Sequence, residues 1–102
     1  MNSYDVTSKA IFNLARGVQD LQQQAARQYK PVVAGILLTR SHDIQHIEHA
    51  LDLLLDFCGH APVLEMYEHL CRHYWHIDPA ATTYYINAYR EYWDSDGQAG
   101  QP

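Results

Sequence analysis

Apolar positions along this chain recur every three to four residues and nowhere alternate with period two. In the first third, Ile11, Leu14, Ala15, Val18, Leu21, Ala25, Tyr29, Val32, Val33 and Ile36 share one face at a 3.6-residue period. A straight helix from Thr7 to Thr39 would measure about 50 Å at 1.5 Å per residue, against roughly 30 Å for a small domain. Pro31 interrupts the run. It removes a backbone donor and crowds the preceding turn, so a kink or a break is predicted there. The apolar face stays in phase across the proline, which favours a kink. Otherwise the end of the helix must lean on a second subunit.

Later segments carry clearer punctuation. Ser41 is the predicted N-cap of a helix whose stripe is Ile44, Ile47, Leu51, Leu54, Leu55 and Cys58. Gly59 is expected to close it, as glycine does just past a helix end. Pro62 suits the first turn of a third helix with Val63, Tyr67, Leu70, Cys71 and Tyr74 inward. Asp78-Pro79 pairs an acidic cap with proline at the first helical position and opens a last helix reaching about Trp93. Ala81, Tyr85, Ala88, Tyr89 and Tyr92 are placed inward there. The expected fold is all-α: a compact bundle of four helices, or five if Pro31 breaks the first, with an antiparallel hairpin turning at Gly59. Residues 1–93 form one domain, and 94–102, without an apolar anchor, a flexible tail.

Composition narrows the classes. Hydrophobic residues make up 47% and charged residues 19%, which excludes wholesale disorder. The net charge of −5 gives no general attraction to nucleic acid phosphates. Cys58 and Cys71 read as buried free thiols, since the hairpin does not set them opposite one another. No basic stretch followed by an apolar run opens the chain, and the longest apolar stretch, Val32–Leu38, is too short to cross a bilayer. A cytoplasmic protein without membrane contact is expected.

Seven residues are histidine, and six fall into one repeated spacing. His42, His46 and His49 stand at i, i+4 and i+7, as do His69, His73 and His76. Both triplets lie on helix faces turned away from the apolar stripes, mirror-placed about Gly59. Protonating all seven histidines would carry the net charge from −5 to +2, across roughly pH 5 to 7. With Asp52, Asp56, Glu65 and Glu68 nearby, the triplets could hold zinc, but an i, i+4 pair supplies only two of the four ligands a structural site wants. His46-Ile-Glu-His49 lacks the zinc-protease spacing. A solvated or partner-facing surface is the stronger reading. Nucleophile elbows, phosphate loops and Cys-x-x-Cys pairs are absent, so no enzyme and no cofactor are expected.

The stretch Leu70-Cys-Arg-His-Tyr-Trp-His-Ile-Asp-Pro-Ala-Ala-Thr-Thr-Tyr-Tyr-Ile86 resembles the helix-turn-helix DNA-binding unit in its small residue Cys71, its short turn into Asp78-Pro79 and its Ile86. The resemblance implies that the second helix enters the major groove with Thr83, Tyr84, Asn87 and Arg90, while Arg72 and His73 reach the backbone. Trp75 stands where that unit has glycine, the turn is one residue too long, and Arg90 is offset by Glu91.

Eight tyrosines and two tryptophans are many for 102 residues. Tyr84, Tyr85, Tyr89, Tyr92 and Trp93 crowd the last helix and exceed what one small core buries, which makes them candidate partner-binding residues. The first reading is therefore a small non-catalytic protein acting through protein–protein contacts as an accessory, inhibitor or regulator. It would self-associate through its first or last helix, with Gln22-Gln23-Gln24 on the long first helix as a further pointer. DNA binding ranks second and histidine-based metal binding third.

Overall fold

The computed structural model describes residues 3–94. Four helices follow in order: α1 (Ser3–Thr39), α2 (Ile44–Leu55), α3 (Ala61–Trp75) and α4 (Pro79–Trp93). No strand occurs among the described residues. Of the tail expected over 94–102, residues 95–102 lie outside them. Asp94 is the C-cap of α4, its N–H donating to the Arg90 carbonyl at 3.1 Å.

α1 is one helix of 37 residues with Pro31 inside it, so the break and the fifth helix are not made. It stops through a paired set of bonds. Arg40 N–H reaches the Leu37 carbonyl at 3.3 Å and Ser41 N–H reaches Ile36 at 3.0 Å, the double closure of a Schellman end. The residue in the left-handed conformation is Arg40, at φ 49°, where glycine is usual. This termination shifts the next start. Ser41 spends its N–H on α1, and its hydroxyl accepts from Asp43 N–H at 3.2 Å. The N-cap of α2 is therefore Asp43, whose carboxylate accepts from His46 N–H at 3.2 Å. Ser41 is not the cap, and His42 precedes the helix.

α2 ends at Leu55, before the expected Cys58. Phe57 N–H to Leu54 (2.9 Å) and His60 N–H to Phe57 (3.0 Å) tighten the chain into turns. Gly59 lies in that turn without positive φ, so it is not a left-handed stop. Its need is space: a Cβ there would sit 2.9 Å from Cζ3 of Trp93. The Trp93 indole N–H donates to the Leu55 carbonyl at 2.8 Å and satisfies one of the acceptors α2 leaves open. Asp78 caps α4 as expected, accepting from Ala81 N–H at 3.0 Å, with Pro79 following.

α3 is the central element. It packs against α1, α2 and α4, and α1 and α2 also pack on each other. The core joins Val33 and Ile36 of α1, Ile47, Leu51 and Leu54 of α2, Val63, Tyr67, Leu70, Cys71 and Tyr74 of α3, and Tyr85 of α4. Thr82 is buried beside them, its hydroxyl donating to the Asp78 carbonyl at 2.8 Å. In the three shorter helices two inward assignments fail. Ile44 is the first residue of α2 and stays exposed, and Tyr92 is exposed because Trp93, one residue on, takes the side of α4 that faces α2.

The bundle begins on α1 only at about Gln22 to Ala25. The preceding turns project as an arm. They lengthen the molecule to 59 × 39 × 17 Å and raise the radius of gyration to 17.1 Å, against about 13 Å for a rounded chain of this size.

Candidate interaction surfaces

The arm carries apolar side chains with no neighbour. Ile11 is 61% exposed, Leu14 72%, Val18 55% and Leu21 57%. All four belong to the single apolar face that periodicity gives the first helix. The second half of that face is in the core, where Ala25, Val33 and Ile36 are buried and Tyr29 and Val32 pack on them. The first half has run past the end of the bundle. Of the two ways to accommodate a long first helix, the chain does not break it.

A second surface lies between α3 and α4, a groove of about 620 Å³. Tyr67, Cys71 and Thr82 form its floor, and Trp75, Ile86 and Tyr89 its apolar walls. Arg72 and Arg90 stand on its rim with Glu68 and Asp94. The five aromatic residues of α4 do not make one patch. Tyr84 and Tyr92 are 69% and 71% exposed, Trp93 leans on Gly59, Tyr89 is half-buried in the groove wall, and Tyr85 is buried. Tyr84 and Tyr85 touch edge to face with ring centroids 5.4 Å apart.

Inside the bundle the tyrosines are structural. Tyr74 donates to the Glu48 carboxylate at 2.5 Å and Tyr85 to Asp52 at 2.9 Å, tying α3 and α4 to one face of α2. Tyr67 donates to the Tyr85 carbonyl at 2.6 Å. Burial pushes all three phenols above the ordinary range, with the carboxylate bonds adding to it for Tyr74 and Tyr85. Burial is also the main cause that pushes Cys58 and Cys71 up to about 12, with nearby negative charge adding to it. Both are free and buried. At neutral pH they remain thiols, poor as nucleophiles and as metal ligands. Among the described residues no buried side-chain polar atom lacks a partner.

The histidines do not converge. His46, His49, His69 and His76 are exposed on α2, on α3 and just past its end. Only His42 and His73 meet, edge to face at 6.5 Å between ring centroids. His73 is half-buried, and its Nε2 lies 2.7 Å from the Ser41 carbonyl. A carbonyl only accepts, so Nε2 carries the proton and His73 latches α3 to the α1–α2 turn. Among the described residues no three of His, Cys, Asp and Glu gather as a metal-binding set.

The residues implied by the helix-turn-helix resemblance are spread over two helices. Thr83, Tyr84, Asn87 and Arg90 are all exposed on α4, and Arg72 is exposed on α3, with His76, Ile77 and Asp78 between the helices. Thr83 spends its hydroxyl on the Pro79 carbonyl at 2.9 Å. Arg72 and Arg90 flank the apolar groove.

Two features escaped the sequence reading. The carboxylate partners of Tyr74 and Tyr85 were not assigned, although Glu48 and Asp52 stand one turn apart on α2. The division of the first apolar face was not assigned either, although the spacing of the arm already differs: 11, 14, 18, 21 and 25 is a strict seven-residue repeat, narrower than a bundle face. Among the described residues no helix is long and apolar enough to cross a membrane. No protein-family model, curated protein or solved structure matches the chain.

Proposed function

We propose that this chain is a small non-catalytic helical protein that works through protein–protein contacts and self-associates through α1. One observation carries the reading: the unpartnered row Ile11, Leu14, Val18 and Leu21 on a helix that has left its own bundle. A monomer gains nothing by holding such a row in water. Covering a large aliphatic side chain is worth about 1.5–3 kcal/mol, and contiguous exposed apolar surface marks interaction sites. The groove between α3 and α4 offers a second contact surface for the accessory or regulatory role. The buried thiols are held protonated and the buried phenols protonated and hydrogen-bonded, which suits structure rather than catalysis.

Sedimentation across about 5–500 µM tests this. The wild-type protein is expected to shift from monomer to a defined oligomer, and Val18→Glu to stay monomeric with unchanged helical circular dichroism. Charge at an exposed position leaves the fold alone and only opposes burial. A wild-type monomer throughout the range would sink the self-associating reading.

DNA binding is the second reading, supported by the short connection between α3 and α4 and by the exposed outer face of α4. Its mark would be affinity for duplex DNA that falls steeply with salt and collapses in Arg90→Ala.

A further inference from the structure

We propose that a second copy of this chain covers the arm, parallel and in register, as a short two-stranded coiled coil. The inference rests on the self-associating reading and adds the partner's identity, orientation and pairing. Ile11 and Val18 occupy the a positions, Leu14 and Leu21 the d positions, and Ala25 the last a.

Four observations lead there. The spacing keeps a strict heptad for as long as the side chains are exposed, and the row enters the chain's own core where Ala25 becomes buried. The seam is therefore external, and it is two residues in seven wide, which suits one partner helix rather than a sheet or a broad surface. β-Branched residues at a with leucine at d are the combination that favours parallel dimers. The flanking e and g positions, Ala10, Ala15, Gly17, Gln22 and Gln24, are small or neutral. Coiled coils that choose a different partner do so by charge at e and g. This seam has no such selector and nothing that repels its own copy. Lys9, Arg16 and Asp20 all fall at c or f, away from it.

Helices of a few turns are marginal alone because nucleation is costly. Here α1 is already nucleated by its second half in the bundle, so pairing needs no new helix end. A short seam still gives a modest interface, and a dimer in the micromolar range is expected rather than an obligate one.

Disulfide trapping in the full chain separates the outcomes. Parallel in-register pairing brings position 11 to position 11 of the second copy. Antiparallel pairing of the same row brings 11 to 21 and separates like positions by about 15 Å, ten residues of helix. A disulfide needs Cα atoms within about 7 Å. Ile11→Cys and Leu21→Cys are each oxidised mildly alone and as a mixture, with Cys58 and Cys71 buried and out of reach. The expected result is self-linked dimer in each variant alone and no 11-to-21 product in the mixture beyond the background of a Lys9→Cys and Leu21→Cys mixture. An 11-to-21 product would overturn the parallel arrangement and leave self-association standing. A wild-type oligomer without any link through α1 would overturn this inference and α1 as the contact, and leave self-association by another face standing. No link together with a wild-type monomer would overturn both.

Discussion

Trp93 acts at the level of a single residue on two neighbours at once. Its ring occupies the space where Gly59 has no side chain, and its indole N–H holds the end of α2. Gly59→Ala should therefore cost about 1–2 kcal/mol by overpacking, although no backbone strain is involved. The same substitution in a Trp93→Ala background should cost less than about 0.5 kcal/mol, because the obstacle is gone. A double-mutant cycle of urea midpoints measures this. An equal penalty in both backgrounds would place the cause in the backbone of the turn. Sequence reasoning found Gly59 but assigned it the wrong role, because a helix-ending glycine and a glycine under a distant ring look alike in one dimension. The ring lies more than thirty positions away in the chain.

Each helix was legible to the degree that its apolar stripe faces one uniform surface. All five stripe residues assigned to α3 are buried, since α3 has neighbours along its length. α4 reads less well. Thr82 is buried and Tyr92 is not, because α4 rests mainly on α3 and its C-terminal end turns Trp93 toward α2. α1 reads half well: periodicity reports that a face is apolar, not which molecule covers it. Its end carries a testable strain. Arg40 holds a left-handed conformation that costs a side-chain-bearing residue about 1–2 kcal/mol. Arg40 is exposed, so Arg40→Gly should stabilise the protein by about 1 kcal/mol, less what glycine adds to the freedom of the unfolded chain. A lowered melting temperature would mean that the Arg40 side chain does more than pass the turn.

In the whole molecule the buried ionisable groups set one limit of stability. Cys58 and Cys71 have pKa values near 9 when exposed and about 12 in the fold. A raised folded pKa means that the unfolded state loses its proton first. The stabilising effect is complete below pH 9 and drains away as pH climbs from 9 toward 12. Tyr67, Tyr74 and Tyr85 act in the same direction from their ordinary value near 10 upward. Urea midpoints should fall steadily above pH 9, and Cys58→Ala/Cys71→Ala should flatten the first part of that fall. A midpoint independent of pH up to 11 would contradict the burial of these groups.

Those two thiols also make the molecule its own clock. Below pH 9 both thiols are protonated and nearly covered, so an alkylating reagent reacts with them chiefly when the fold opens, and each labelling rate reports how often one place opens. Cys71 lies on the floor between α3 and α4 and times the departure of α4, the helix with the fewest neighbours. Cys58 lies in the turn that Trp93 clasps and times the release of that clasp. If α4 and Trp93 leave together, the two rates coincide. If the end of α4 frays first, Cys58 reacts ahead of Cys71.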